Sequence, residues 1–358
     1  MSSWEGVPEI VCHDATPTQI GQVHGRIAAD RIRTSIKNYT NLYRETANLT
    51  WEESRARAEK YIEPLTRSVP EIVEEMKAIA LASDVPFIDI LTLNVRSEIS
   101  LTNYSDGCTT VGQYWKPKDG GQESVFLAQN WDWVGETANA TVFFDIQPQG
   151  KPRIRMYGEA GLVGKFGFNS AGVAVCMNAI RSGFVDCEKL PVHVAIRKLL
   201  ECSSFAEAKQ LLKEKGLASC VHFAVADSTG KLASFECSPI GNTEIEADDE
   251  GTICHTNHLY AKNLPPKLVD HPSKNSFSRL ERMQELTQGQ PPSFSSIRSR
   301  MSDEQNAPVA ICRSAPPGAS GMERMETLST IIVNLKERTA EISLGRPSLS
   351  PPIRILTV

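Results

Sequence analysis

The sequence lacks the features that would mark a disulfide scaffold, a zinc site or a nucleic-acid binder. Its nine cysteines are an odd number with no C-x-x-C spacing, which argues against a disulfide framework or a zinc site and fits a reducing compartment. No apolar run approaches the roughly 20 residues that cross a bilayer, and no Lys/Arg run offers a membrane patch. The start, MSSWEGVPEIVCHD, has neither a basic n-region nor an apolar core, so no secretory signal is expected. A formal net charge of −5 leaves no basic footprint for nucleic acid. The closing ILTV is not a peroxisomal address, and a cytoplasmic location is expected. There N-x-S/T matches such as those at Asn48, Asn103 and Asn139 stay unglycosylated. What remains is an ordinary globular chain of 358 residues, 41% hydrophobic and 23% charged, without internal repeats or an obvious linker.

The first hundred residues read as helix. Thr16-Pro17-Thr18-Gln19 has an N-cap, a proline at the first helical position and a capping-box glutamine. Ile20, Val23 and Ile27 follow at helical spacing. Thr50 and Glu53 repeat the capping box. PEIVEEMKAIALAS puts Ile72, Val73, Met76, Ile79 and Ala80 on one face, and a fourth segment covers IDILTLNVRSEIS. After Cys108 the texture changes to short strands: CTTVGQY, SVFLAQNW, ATVFFDIQ, PRIRMYG and GVAVCMNAI, separated by Gly, Pro and Asn turns. Two helices come next, PVHVAIRKLLE and one capped at Ser204, and then a hairpin, CVHFAVADSTGKLASFECSP. FSRLERMQELTQ and FSSIRSRMS read as helix, PVAICRS and TLSTIIVNL…TAEISLG as strand. The expected class is α+β, with antiparallel strands behind a helical front piece.

The stretch Ser105–Gly112, SDGCTTVG, stands at the switch from helix to strand. Most isolated cysteines are small core hydrophobes, and the other eight fit that description. Cys108 differs in following Gly107 at this boundary, where a thiol could attack the preceding carbonyl. Cleavage there would leave a cysteine with a free α-amine of pKa about 7.7–8.0, a base suited to neutral pH. Terminal amines activate nucleophiles in this way in acyl transfer. Asp-Gly is equally common in turns, and the eight residues alone leave both readings open.

Further along, QNWDW places Asp132 between two tryptophans, where a carboxylate needs a cation or donors. Arg313 interrupts the apolar VAICRS and is a candidate partner, either structural or catalytic. CHTNHL holds Asn257, whose amide could donate to an oxyanion. Its His255 and His258 lack the H-x-x-x-H spacing of a helical metal site, so no metal is expected. In GFNSAG, Phe168 stands where G-x-S-x-G needs its first glycine, which excludes a serine nucleophile elbow.

Six blocks occur in order: LNVRSEIS…DGCTT, QNWDW, EAGLVGKFGFNSAGVAV, HTNH, ICR and LGRP. Together they resemble the fungal acyl-coenzyme A:6-aminopenicillanic acid acyltransferases (isopenicillin N acyltransferases), C45 self-processing proteins, from about residue 10 to residue 347. The resemblance implies an N-terminal nucleophile hydrolase fold, a four-layer αββα sandwich of antiparallel sheets. It implies a zymogen cleaved between Gly107 and Cys108 into an α subunit, 1–107, and a β subunit, 108–358, that remain together as a heterodimer. Carried over by motif, Cys108 is the nucleophile, Asp132 and Arg313 a supporting pair, and Asn257 the oxyanion donor. Thr110 and Ser238 fall where the family has residues that line the site or aid processing.

The implied reaction, in penicillin biosynthesis, exchanges the side chain of isopenicillin N for an acyl group from acyl-coenzyme A, through 6-aminopenicillanic acid. Coenzyme A is a co-substrate and no cofactor is needed. Two alternatives remain at this stage. One is an amidohydrolase or acyltransferase acting on another peptide-derived metabolite. The other is an unprocessed, silent homologue that serves as a binding protein.

Overall fold

Thr16 and Thr50 start the first two helices as their capping boxes require. The computed structural model describes residues 6–100 and 107–358, with Ser100 described in its backbone only. Strand β1 (Glu9–Ala15) leads into α1 (Pro17–Ala47), where the Gln19 N–H donates to Thr16 Oγ1 at 3.3 Å and Gln19 Oε1 accepts from the Thr16 N–H at 2.9 Å. The Thr50–Glu53 box opens α2 (Trp51–Glu59), followed by α3 (Ile62–Ser68) and α4 (Pro70–Ser83). The fourth expected segment is two helices, α5 (Phe87–Asn94) and α6 (Arg96–Ser100).

Glycines let α1 and α4 meet backbone to backbone. A methyl on Gly21 would lie 2.3 Å from the Glu75 carbonyl oxygen, and one on Gly25 would lie 2.5 Å from that of Ile79. This contact rotates the buried face of α1 away from the apolar spacing. Ile20, His24, Ala28 and Ile32 are buried, whereas Ile27 is exposed. The α4 stripe from Ile72 to Ala80 is buried as expected.

Two sheets form the middle of the molecule. The strands after residue 107 are β2 (Thr109–Trp115), β3 (Ser124–Val134), β4 (Thr141–Pro148), β5 (Ile154–Glu159), β6 (Gly167–Asn169) and β7 (Val173–Ala179). Helices α7 (Val192–Leu200) and α8 (Phe205–Lys215) follow, then β8 (Val221–Asp227), β9 (Leu232–Ser238), β10 (Gly241–Glu246) and β11 (Thr252–His255). Helices α9 (Lys274–Thr287) and α10 (Phe294–Met301) lead to β12 (Met325–Asn334), β13 (Thr339–Leu344) and β14 (Ile353–Thr357).

Among the described residues, eight strands form one sheet in the order β1-β4-β5-β6-β7-β8-β9-β10, and six form the other, β11-β2-β3-β12-β13-β14. Neighbours pair antiparallel except β1 and β4, which run parallel with Glu9 opposite Phe143. Strand β1 corrects the all-helical reading of the first hundred residues. Only Ile10 and Ala15 of its seven residues are fully buried, so this edge strand carries almost no hydrophobic alternation.

Helices α1, α7 and α8 cover the larger sheet, and α9 and α10 cover the smaller. Between them β2 and β3 face β7 and β8, which completes four layers, αββα. Gln129 of β3 joins the sheets: its side chain donates to the Met177 carbonyl at 2.5 Å and accepts from the Met177 N–H at 2.9 Å. One core cluster takes Ile32, Ile79 and Leu93 from the front helices and Trp131, Phe143 and Val163 from the later chain. That core is shared between residues before 107 and those after it, and burying its apolar surface favours their association. No helix among the described residues is long and apolar enough to cross a membrane.

PVAICRS is not a strand. Strand β12 already pairs with the edge of β3 that this segment would need, so the segment runs as a loop across α10 and β3. It is held there by Asn130 Nδ2, which donates to the Ile311 carbonyl at 2.9 Å.

Candidate active site

Cys108 is the last residue before β2 and is buried. Because the sheet begins at Thr109, the Cys108 carbonyl points outside the strand ladder and takes side-chain donors instead. Arg279 Nη1 donates to it at 2.7 Å and Asn178 Nδ2 at 3.0 Å. Arg279 comes from α9 and is 2% exposed. Its Nη1 also donates to Thr109 Oγ1 at 2.9 Å, and its Nη2 to Asn257 Oδ1 at 2.8 Å.

Gly107 lies against the next two expected residues. A methyl on its Cα would stand 2.9 Å from Asp132 Cβ, 3.1 Å from Asp132 Oδ2 and 3.2 Å from Arg313 Nη1. Only glycine fits between them without displacing one. Asp132, on β3, and the Arg313 loop are connected through Thr327 of β12. The Thr327 hydroxyl donates to Asp132 Oδ1 at 2.7 Å and accepts from the Arg313 N–H at 2.9 Å. The Thr327 N–H also donates to the Arg313 carbonyl, at 3.1 Å.

Asn257 sits just beyond β11. Its Nδ2 donates to the Ala179 carbonyl at 2.9 Å, and its backbone N–H donates to Ser276 Oγ at 2.8 Å. An amide nitrogen has two hydrogens, so one beyond the Ala179 bond can serve an incoming oxyanion. The guanidinium on Oδ1 fixes which way the amide faces.

Thr110 stands in β2 between Gln129 and His255, on the same strand face as Cys108. Its buried hydroxyl has no hydrogen-bond partner among the described residues. Ser238 is different. Its hydroxyl donates to the Gly241 carbonyl at 2.7 Å and accepts from the Ile240 N–H at 3.3 Å. Those bonds close the β9–β10 turn, and none of them reaches the Cys108 group.

The histidines of HTNH lie in a buried polar chain. His255 stacks on His222 with ring centroids 3.5 Å apart, and His255 Nε2 bonds Glu236 Oε1 at 2.9 Å. His222 Nδ1 donates to Asn178 Oδ1 at 2.8 Å, and Asn178 in turn holds the Cys108 carbonyl. Burial, with His255 beside it, holds the His222 pKa well below the usual imidazole range, so this ring is neutral.

Sequence reasoning missed Arg279, Asn178, His222, Glu236 and Thr327. Arg279 lies in an ordinary amphipathic helical pattern and the others in strands. The signal available was a charged residue, Arg279, on the α9 face shared with Leu280 and Met283. Five other cysteines are held in the thiol form by burial, which pushes Cys220 up to about 11, Cys202 and Cys254 up to about 12, and Cys176 and Cys237 higher still.

The sequence matches the family model for acyl-coenzyme A:6-aminopenicillanic acid acyl-transferase over residues 115–349. It is 33% identical over 335 residues to the acyl-coenzyme A:6-aminopenicillanic-acid-acyltransferase 40 kDa form of Emericella nidulans, covering 93% of this chain and 91% of that one. Among solved structures it is similar to penicillin V acylase from Agrobacterium tumefaciens, with TM-score 0.49, 15% identity, and 70% and 86% of the two chains covered. A conjugated bile acid hydrolase from Clostridium perfringens gives TM-score 0.48, 13% identity, and 70% and 92% coverage. The length and identity of the first two matches place this chain in a family: it belongs to the acyl-coenzyme A:6-aminopenicillanic acid acyltransferases.

Proposed function

We propose that the chain is a self-processing acyltransferase with amidohydrolase activity, acting in penicillin biosynthesis with Cys108 as nucleophile. The observation that carries this reading is the peptide around Cys108. Gly107 is packed against Asp132 and Arg313, while the Cys108 carbonyl is clamped by Arg279 and Asn178.

In processing, Cys108 Sγ attacks the Gly107 carbonyl carbon and the C–N bond breaks. The acyl group moves to sulfur and the nitrogen leaves as the Cys108 amine. Water then hydrolyses the thioester, which gives a carboxylate on Gly107 and restores the thiol. The new α-amine emerges beside Asp132, which can orient it as the base that takes the thiol proton. The α subunit, 1–107, and β subunit, 108–358, stay together because they share one core.

In turnover, Cys108 accepts the acyl group from the side-chain amide of isopenicillin N or from the thioester of an acyl-coenzyme A. The leaving groups are 6-aminopenicillanic acid and coenzyme A respectively, each taking the proton held by the α-amine. The amine of 6-aminopenicillanic acid, or water, then attacks the thioester and frees the enzyme. Asn257 Nδ2 stabilises the oxyanion in each step. Acyl-coenzyme A is a co-substrate, and the chemistry uses no cofactor.

The test is to offer the purified protein 6-aminopenicillanic acid with phenylacetyl-coenzyme A. Formation of the penicillin supports the reading. Hydrolysis of other amides without any penicillin product would favour a different peptide-derived substrate.

A further inference from the structure

Asn178 Nδ2 holds the Cys108 carbonyl, and that bond dictates the protons of the polar residues behind it. A carbonyl only accepts, so the Asn178 amide turns its nitrogen to Cys108 and its oxygen to His222. That oxygen only accepts as well, so the His222 proton sits on Nδ1, 2.8 Å away. His222 Nε2 is buried without a hydrogen-bond partner among the described residues, which suits a bare lone pair better than a second N–H.

His255 has the opposite surroundings. Its Nε2 lies 2.9 Å from Glu236 Oε1 and its Nδ1 2.8 Å from the Thr256 carbonyl oxygen, so both nitrogens face acceptors. Glu236 also takes backbone N–H groups, from Tyr260 on Oε1 at 2.8 Å and from Ala261 on Oε2 at 3.2 Å, the setting of an ionised carboxylate. Both His255 nitrogens therefore carry protons. The ring is an imidazolium paired with Glu236, and neither side chain is exposed. The other titratable groups against the ring are His222 of β8 and, after β11, His258 and Tyr260. None of them is a competing anion, because burial raises the Tyr260 phenol far above neutral pH. The His222 ring lies nearly parallel to this cation, with 3.5 Å between centroids. So close a charge disfavours a second proton on His222 and strengthens its Nδ1–H as a donor.

We propose that Glu236, His255 and His222 are positioning residues for Cys108, acting in series. Glu236 keeps the charge on His255, His255 keeps His222 neutral with its proton on Nδ1, and His222 orients the Asn178 amide. With Asn178 and Arg279 both on its oxygen, the Cys108–Thr109 peptide cannot turn. The Cys108 Cα, from which the thiol and the future α-amine both branch, then keeps its place. The inference deepens the proposed function and rests on it, since it assigns these residues to the reaction at Cys108.

The experiment sets two substitutions of His222 against each other in the full-length protein. His222→Phe keeps a ring on His255 but has no N–H for Asn178. His222→Asn gives up the ring but places an amide N–H where Nδ1 was. The Phe variant should lose roughly 10-fold in chain cleavage and in kcat, the effect of one buried hydrogen bond, with KM within about 2-fold. The Asn variant should recover most of both rates. A ring needed only for packing gives the reverse order, and that result, or two variants at the parent rate, would overturn the proposal. Nitrogen NMR of the histidine-labelled parent protein reads the protons whether or not the variants fold. At about pH 7.5, where an ordinary imidazole is mostly neutral, one ring should be protonated on both nitrogens and lose that state in Glu236→Gln. A second, neutral ring should carry its proton on Nδ1 and vanish in His222→Asn. Absence of either ring from the parent spectrum would also overturn the proposal. A parent chain that neither cleaves nor turns over substrate fails the proposed function and takes this inference with it. A working parent protein whose His222 variants lose nothing fails this inference alone.

Discussion

Arg279 donates to the backbone carbonyl of Cys108 at 2.7 Å and to the side-chain oxygen of Asn257 at 2.8 Å, so one buried guanidinium holds both the Cys108 carbonyl and the Asn257 amide. A lysine has one compact head and cannot span both acceptors together with Thr109. Arg279→Lys should therefore slow chain cleavage and acyl transfer together, each by roughly 10- to 100-fold, as expected for losing charge-assisted hydrogen bonds. Time courses on a denaturing gel and a product assay would show it. Unchanged rates would mean that Arg279 serves only the fold.

Gly107 has no room for a side chain. Gly107→Ala pushes a methyl to within about 3 Å of Asp132 and Arg313 and should slow cleavage at least 10-fold. The intact chain should still fold, with a melting temperature within a few degrees of the parent protein. Cleavage at the parent rate would show that this packing does not matter to the reaction.

Thr327→Val removes the hydroxyl that joins Asp132 to the Arg313 loop and leaves two buried groups without it. The expected cost is about 1–3 kcal/mol in denaturant unfolding, accompanied by a fall in activity larger than any change in KM. A variant equally active and stable would contradict the link.

Stability should fall with acid below about pH 6.5. Burial lowers the pKa of His24 to about 3 and of His258 to about 4, and takes His193 and His222 well below the imidazole range. Each folded pKa lies under its unfolded value, so the unfolded state binds more protons as pH drops. The stability these groups contribute is fully present above the unfolded pKa of about 6.5 and is lost towards the folded values, at up to about 1.4 kcal/mol per pH unit per group. Glu75 and Glu98, raised mainly by burial, act in the opposite direction, but the histidines outnumber them. Thermal melts at pH 7, 6 and 5 should shift downward, and a flat series would contradict the assignment.

The local signals in the sequence that involve few residues were legible. Both threonine capping boxes, the hairpin of β8 and β9, and the strands from Thr109 to Ala179 other than the three-residue β6 follow from spacing and turn chemistry alone. Strand β1 was hidden because an edge strand paired on one side needs little alternation. The loop around Arg313 looked like a strand because it is apolar, and only the sheet order shows that its place beside β3 is taken. At the site, Gly107, Cys108, Asp132 and Arg313 could be named from motifs. Arg279 and Thr327 could not, since what they do depends on bringing together segments more than a hundred residues apart. Ser238 shows the converse: a residue picked by motif whose hydrogen bonds belong to a turn.

The central claim concerns one peptide bond. Intact-mass measurement of the purified protein under denaturing conditions, beside Cys108→Ala, tests it most directly. We expect the parent protein to give two masses, one for a fragment ending at Gly107 and one for a fragment starting at Cys108, and the variant to give a single full-length mass. A parent chain that stays whole on long incubation, or a variant cut at the same bond, would contradict it.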